Sequence, residues 1–309
     1  MPTKPGTEPR VVAIVANARA GTVLEMGDER FHQWMNAAFE AYGIRPQIDL
    51  LSHEEIASRV DTLIEQEDRD VFVAGGDGTI FRLLPRLAEA RRPVGIIPLG
   101  TVNLLGRDLG VHDAIDAVAR AYRNRSSQRV SLGAVNGILF HSNVGIGILG
   151  RMARERERAR GEFPFSRAFS FAMAALRTLI YARPFNVRLA SAGREESFEA
   201  DAVLVTNNIF DGMPWRRENL DARILECHVL AARGFANRLS MIWAVLRGRW
   251  REHPALRSFL VRELTIAPRR RHRISVAIDG ESFRLDAPLA FSVAPQAVRF
   301  YGMRGDEAE

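Results

Sequence analysis

One cysteine, Cys227, is the only thiol in the 309 residues. A lone thiol cannot form an intramolecular bridge, which excludes a disulfide-stapled secreted scaffold and fits a reducing cytosol. Long hydrophobic runs are also missing. The most apolar stretch, 163–181, is broken by Arg167 and Arg177, whereas a membrane span needs about 20 predominantly apolar residues. The opening MPTKPGTEPR is polar and Pro-rich; it lacks a secretory signal and reads as a loose tail. There is no internal repeat and no low-complexity tract. No recognition helix, zinc-ligand spacing or aromatic RNA-binding motif appears, so the sequence points to no nucleic-acid partner.

What is present is an ordinary globular balance, 47% hydrophobic and 26% charged, with length for two domains. The net charge is +6, mostly from Arg. Such a surface suits anionic membrane, nucleic acid or nucleotide phosphates equally, so charge alone does not choose among them.

Residues 1–127 alternate between strand and helix patterns. Val11-Val12-Ala13-Ile14-Val15-Ala16 is a buried-strand run, followed by Phe31, Trp34, Met35, Ala38, Phe39 and Tyr42 at helical spacing up to Gly43. A second strand is expected at 44–50. A capping box at Ser52-His53-Glu54-Glu55 opens a helix with the stripe Ile56, Val60, Leu63, Ile64. Strand 71–74, helix 79–90, strand 94–97 and a helix capped by Asp113 complete the series. This alternation predicts a three-layer α/β domain around a parallel sheet.

Residues 128–309 read differently. Strands are expected at 129–135, 138–143, 186–190, 198–206, 224–231, 264–267, 273–278 and 289–293. They form a β-rich domain interrupted by helical insertions at 166–181 and 237–250. The Arg/Glu mixture at 151–160 reads as a solvated helix face.

Three polar, Gly-containing loops follow strands of the first domain. They are Asn17-Ala18-Arg19-Ala20-Gly21-Thr22, Gly75-Gly76-Asp77-Gly78-Thr79 and Gly100-Thr101-Val102-Asn103. Glycines let a backbone turn sharply and approach a ligand, and the amides of a following helix face an anion. In a parallel sheet all three loops lie on the carboxyl edge, where ligands bind.

In these motifs the chain resembles the diacylglycerol kinase catalytic-domain family, which includes sphingosine and ceramide kinases. GGDGT is intact at Gly75 to Thr79. Asn17 to Gly21 is similar to the family's Asn-Pro-x-Ser-Gly, and Pro98-Leu99-Gly100-Thr101-Val102-Asn103 to its PLGTxND. Asn143-Val144-Gly145-Ile146-Gly147 and Asp279-Gly280-Glu281 follow in order. The resemblance implies a nucleotide domain followed by a β-sandwich-like domain with the active site between them. It further implies ATP and Mg²⁺ as cofactors, and transfer of phosphate to a lipid hydroxyl, diacylglycerol by default.

By that resemblance, Gly75, Gly76, Gly78 and Thr79 hold the ATP phosphates, bordered by Asn17, Gly21, Thr22, Gly100, Thr101 and Asn103. Arg19 either pairs with phosphate or is a solvated loop residue. Asp77 either helps place Mg²⁺ or caps the following helix. Asp279 is either the base for the lipid hydroxyl or part of an Asp-Gly hairpin turn. Glu281 shares its face if the strand is continuous, while Gly280 would mark a bend.

Departures from the family pattern are Ala18 and Ala20 for Pro and Ser, Leu104 after Asn103, Ser131 where relatives carry a metal-supporting Asp, and Asp221-Ala222 for Asp-Gly. They weaken the case for a structural Mg²⁺ and leave a catalytically degenerate lipid or nucleotide sensor as one alternative. NAD kinase is another, although Asn207-Asn208 stands in place of its Asn-Glu. A lipid kinase must touch the bilayer. The apolar and Arg-bearing segments 166–181 and 237–250, with Arg269-Arg270-Arg271-His272-Arg273, suit an anionic membrane surface; each has a plain alternative as core or solvated loop. The expected setting is cytoplasmic, peripheral to the inner membrane face, with room for a homodimer.

Overall fold

The computed structural model describes residues 10–303 except 67, 112–114, 159–183, 211–216, 218, 233, 270 and 271. The chain forms two compact units, Met1–Val130 with Gln296–Glu309, and Ser131–Pro295.

In the first unit, β1 (Arg10–Asn17), β2 (Ile44–Leu51), β3 (Asp70–Gly75) and β4 (Gly95–Pro98) form a parallel sheet of order β2-β1-β3-β4. Val12 to Ala16 are all buried, so both faces of β1 are covered, as an unbroken apolar run requires. The helices are α1 (Gly21–Met26), α2 (Asp28–Glu40), α3 (Glu55–Gln66), α4 (Asp77–Leu87), α5 (Leu104–Asp108) and α6 (Ile115–Arg123). Helix α2 buries Phe31, Met35 and Phe39, and α3 buries Ile56, Val60 and Leu63. Each such side chain contributes about 1.5–3 kcal/mol when fully buried. The capping box before α3 is made: Ser52 N donates to Glu55 Oε2 at 3.0 Å, and Glu55 N to Ser52 Oγ at 3.4 Å. Helices α1 and α5 are too short for periodicity to reveal. Residues 112–114, with the expected cap Asp113, and residues 159–183, with the whole expected insertion 166–181, lie outside the described residues.

The strand order places a switch point beside β1. From β1 the chain moves outward to β2, then crosses back to β3 and continues the other way to β4. The loops after β1 and β3 therefore flank the crevice where open α/β sheets bind ligands.

Strand β16 (Leu289–Tyr301) begins in the second unit and ends in the first. Phe300 makes a parallel bridge with Val94, whose amide donates to Arg299 O at 2.8 Å. Tyr301 stacks on Phe72 at 5.8 Å, and Tyr122 meets both rings edge-on. Gly95 is required beside this cluster, because a Cβ there would stand 1.9 Å from the Phe72 ring. Burial pushes the Tyr301 hydroxyl up to about 12. Burial also raises that of Tyr122, together with its 2.8 Å bond to Asp70. The strand expected at 289–293 is thus much longer, and its return was hidden because Pro295, Gln296 and Arg299 interrupt the apolar pattern.

The remaining strands are β5 (Ser127–Val135), β6 (Ile138–Phe140), β7 (Asn143–Gly147), β8 (Phe185–Ser191), β9 (Arg194–Ala200), β10 (Ala202–Asn207), β11 (Leu225–Leu230), β12 (Leu256–Val261), β13 (Glu263–Pro268), β14 (Arg273–Ile278) and β15 (Glu281–Asp286). They build two six-stranded sheets, β12-β11-β10-β7-β14-β15 and β6-β5-β16-β13-β8-β9. The pairs β10–β11, β7–β10, β13–β16, β8–β13, β14–β15 and β8–β9 are antiparallel, giving a β-sandwich-like domain. Helices α7 (Ile148–Arg158) and α8 (Phe235–Leu246) and the short turn Trp250–Glu252 complete it. Among the described residues no helix is long and apolar enough to cross a membrane.

Two expected strands divide. The run 198–206 belongs to β9 and β10, which lie in different sheets. Asp201 makes the corner: its amide donates to Leu230 O at 2.8 Å, its carbonyl accepts from Ile148 N at 3.0 Å, and its carboxylate takes Arg238 Nη2 at 2.6 Å. The run 138–143 divides into β6 and β7 around His141-Ser142. Strands β12 and β15 were not anticipated, because both mix exposed and half-buried positions without a clean apolar face.

Candidate functional site

The three Gly-containing loops of the first unit are tied to one another. Asn17 Nδ2 donates to Thr79 Oγ1 at 3.0 Å, linking the loops after β1 and β3. Thr22 Oγ1 donates to Leu99 O at 3.3 Å, linking the first loop to the one after β4. Leu99 N donates to Gly75 O at 3.0 Å, closing the set.

Local sterics explain the glycines. A Cβ on Gly75 would meet Thr79 Cβ at 2.7 Å, so the buried Thr79 occupies the space a side chain at 75 would need. A Cβ on Gly100 would stand 2.8 Å from Gly76 Cα and 2.7 Å from Asn103 Oδ1. By contrast, a Cβ on Gly21 would meet nothing within 4 Å, so that position borders open space. Asn103 adopts a left-handed backbone (φ 49) and folds back on Gly100. Its Oδ1 accepts from Gly100 N at 2.9 Å, and its Nδ2 donates to Gly100 O at 2.7 Å. Asn17 Oδ1 accepts the Arg19 amide at 2.9 Å, which fixes the start of the first loop.

Asp77 does not cap the helix it opens. The N-cap of α4 is Gly76, and no side chain caps that helix. The Asp77 carboxylate instead accepts from Asn103 N at 3.0 Å and Leu104 N at 2.9 Å. It therefore anchors the first turn of α5 from the neighbouring loop, which sequence spacing does not show. Thr79 N already donates to Gly76 O at 2.9 Å, so it is the amides of Asp77 and Gly78, at the start of α4, that suit an anion. Arg19, Gly100 and Thr101 are exposed, whereas Gly76, Asp77, Gly78 and Asn103 are half-buried. The structure thus brings Asn17, Gly21, Thr22, Gly75, Gly76, Asp77, Gly78, Thr79, Gly100, Thr101 and Asn103 onto one rim, with Arg19 at its surface.

Asp279 and Glu281 belong to the second unit. Ile278 pairs with Glu281, and Asp279 and Gly280 have φ of 46° and 85°. This is a two-residue hairpin of the type that requires positive φ at both positions. The continuous strand that would put Asp279 and Glu281 on one face is not formed. The Asp279 carboxylate is nevertheless buried. Oδ2 accepts from His141 N at 2.8 Å, and Oδ1 accepts from Ser142 N and Asn143 N, each at 2.9 Å. His141 Nε2 lies 3.6 Å from Oδ2. Glu281, at the start of β15, is half-buried.

Around the same loop sits a buried polar set whose Ser131 and Asn207-Asn208 the sequence marks only as departures from family patterns, and whose Arg217 it does not mark at all. Asn207 Nδ2 donates to Ser131 O at 2.6 Å and to His141 O at 3.1 Å. The buried Arg217 donates to His141 O and to Asn207 O, and its guanidinium lies 5.4 Å from the Phe210 ring centroid. Asn208 Nδ2 donates to Leu220 O at 2.8 Å and to Ser131 Oγ at 3.1 Å. The available signal was Asn207-Asn208 directly after an apolar run; nothing distinguishes Arg217 from its neighbour Arg216 in sequence. Among the described residues no three His, Cys, Asp or Glu side chains gather as a metal cage.

The two units match two known family profiles. Residues 11–135 match the diacylglycerol kinase catalytic domain, and residues 142–302 match the YegS C-terminal NAD kinase beta sandwich-like domain. Diacylglycerol kinase 3 of Arabidopsis thaliana is 33% identical over 144 residues, 41% of this chain and 29% of that protein. Diacylglycerol kinase of Staphylococcus carnosus is 38% identical over 82 residues, 24% of this chain and 26% of that protein. The matched stretch is therefore about a third or less of those relatives' lengths. A crystal structure described as a diacylglycerol kinase from Bacillus anthracis str. Sterne aligns with TM-score 0.64 and 17% identity, covering 96% of this chain and 97% of that one. A second solved chain from the same organism aligns with TM-score 0.71 and 19% identity, covering 96% and 99%. At those identities the structures bear on the fold alone. With its catalytic-domain profile on the first unit and its β-sandwich profile on the second, the chain belongs to the diacylglycerol kinase catalytic-domain family.

Proposed function

We propose that the chain is an ATP-dependent lipid kinase, transferring the γ-phosphate to a hydroxyl of diacylglycerol or a related lipid such as ceramide, a sphingoid base or another glycerolipid. The observation that carries this is the interlocked rim, in which Gly76 and Gly100 approach backbone to backbone beside the start of α4. Phosphoryl transfer needs positioning and charge neutralisation more than covalent chemistry. A rigid set of glycine amides supplies the positioning.

Gly75, Gly76, Gly78 and Thr79 are assigned to the ATP phosphates. Asn17, Gly21, Thr22, Gly100, Thr101 and Asn103 frame them, and the exposed Arg19 offers a cation. Asp77 is the one acidic residue in the three loops. Mg²⁺ usually takes only one or two carboxylates together with phosphates and waters. Asp77 fits that use through the lone pairs its two amide donors leave. When bound, the ion neutralises charge on the transferring phosphate.

The proton of the lipid hydroxyl is assigned to the Asp279–Glu281 hairpin. Asp279 is buried and holds three amides, so it is read as the positioning residue. Glu281, partly exposed, is read as the acceptor. The acceptor lipid places the working protein peripherally at the inner face of a membrane.

The test is to incubate the full chain with labelled ATP, Mg²⁺ and mixed micelles of diacylglycerol, ceramide, sphingosine or monoacylglycerol, with NAD in a separate reaction. Label in one lipid is expected and names the acceptor. The description of the second profile as NAD kinase-like supports one other reading, and label in NAD alone would replace the lipid assignment with it. ATP binding without transfer to any of these would favour a sensor.

A further inference from the structure

Helix α8 is apolar on both sides, with Met241, Ile242 and Val245 half-buried beside Arg238. Its buried residue is Arg238, while Phe235, Leu239, Trp243 and Leu246 are 43%, 53%, 56% and 63% exposed. Their spacing of four, four and three residues sets them on one face of the helix. Arg238 is drawn inward by a buried ion pair at 2.6 Å with Asp201, the corner residue between β9 and β10. That pair, with half-buried Met241, Ile242 and Val245, fixes which side of the helix faces the protein, and a second apolar stripe is left outward. Single exposed apolar residues are ordinary, but a contiguous stripe of large ones marks a surface that meets something apolar.

We infer that this stripe is the membrane-docking element, seated in the headgroup–acyl boundary of an anionic bilayer. Twelve residues span about 18 Å along a helix, too short to cross a bilayer and suited to lie in its plane. Of the four Arg in 234–251, Arg238 is taken up by Asp201 and Arg251 by Glu226, which leaves Arg247 and Arg249 at the surface. The Arg247 guanidinium lies 4.8 Å from the Trp243 ring centroid, placing a cation beside the ring that most favours the interface. Arg249 is exposed one turn further on, paired with the exposed Glu252. Apolar side chains entering the bilayer with Arg at phosphate level is the arrangement that chemistry selects. The inference rests on the lipid-kinase reading for its purpose, but its test does not depend on turnover.

The experiment is co-sedimentation of the full chain with phosphatidylcholine vesicles, with and without phosphatidylglycerol. Wild type should bind the anionic vesicles, and Leu239→Gln/Trp243→Gln should lose at least about tenfold in affinity. Arg247→Gln/Arg249→Gln should weaken binding to anionic vesicles by about tenfold or more while leaving binding to neutral ones unchanged. Phosphorylation of a short-chain, detergent-dispersed acceptor should be equal in all variants. Unchanged vesicle binding in Leu239→Gln/Trp243→Gln overturns the inference. So does a shift from dimer to monomer on gel filtration in that variant, since the stripe would then be a self-interface. Vesicle binding that depends on the stripe, without transfer to any lipid, would sink the kinase reading and leave the docking surface standing.

Discussion

Gly76 and Gly100 meet so closely that a Cβ on Gly100 would stand 2.8 Å from Gly76 Cα. Two loops separated by more than 20 residues of chain are thereby packed backbone on backbone. Because the obstructing atom is main chain, neither loop can yield by a side-chain rotation.

Gly100→Ala is therefore expected to destabilise the first unit by roughly 1–3 kcal/mol and to weaken ATP binding. Gly21→Ala is the informative contrast. A Cβ at 21 meets nothing within 4 Å, so its melting temperature should match wild type. Calorimetric titration with ATP then reads whether that open space belongs to the nucleotide; undiminished affinity in Gly21→Ala would remove Gly21 from the site.

Asp77 serves the protein before any ligand arrives. In Asp77→Asn one acceptor remains, and an amide donor is turned toward the Asn103–Leu104 amides. A loss of about 1–3 kcal/mol is expected in metal-free, nucleotide-free buffer, read by urea denaturation. If stability is unchanged and only Mg²⁺-dependent transfer falls, the anchoring role is wrong and Asp77 acts through the ion alone.

For the hairpin, the two carboxylates should separate by phenotype. Asp279→Asn leaves buried amides short of acceptors and should cost about 3 kcal/mol or more in stability. Glu281→Gln should keep the wild-type melting temperature while kcat falls by about 10²-fold or more. A folded, fully active Glu281→Gln would return the proton-accepting role to Asp279.

Acid should act through Glu226. Burial would raise its carboxyl, but hydrogen bonds and charge from His228 and Arg251 outweigh burial and hold it at about 2, below the ordinary 4.5. Arg251 reaches the carboxylate with two 2.7 Å bonds. With the folded value depressed, this stabilisation is fully present above about 4.5 and is lost as pH falls toward about 2. Urea midpoints should decline across that window in wild type, and Glu226→Gln should be less stable at neutral pH with a flatter acid profile.

The α/β domain is written in the amino-acid order, because unbroken apolar runs such as Val12 to Ala16 and stripes such as Ile56, Val60, Leu63 have only one way to be buried. The same order places the three loops, since glycines clustered after strands of a parallel sheet gather at one edge whatever the details. Tertiary structure alone decided what the polar residues do. Asp77 caps a helix that begins 27 residues later. Asp279 turns inward from a hairpin to hold His141, Ser142 and Asn143. Arg238 turns inward from an otherwise apolar helix because Asp201 waits in the corner beneath it. Periodicity encodes which side chains leave water. A hydrogen bond or ion pair depends on a partner distant in the chain, and only the folded chain brings that partner within reach.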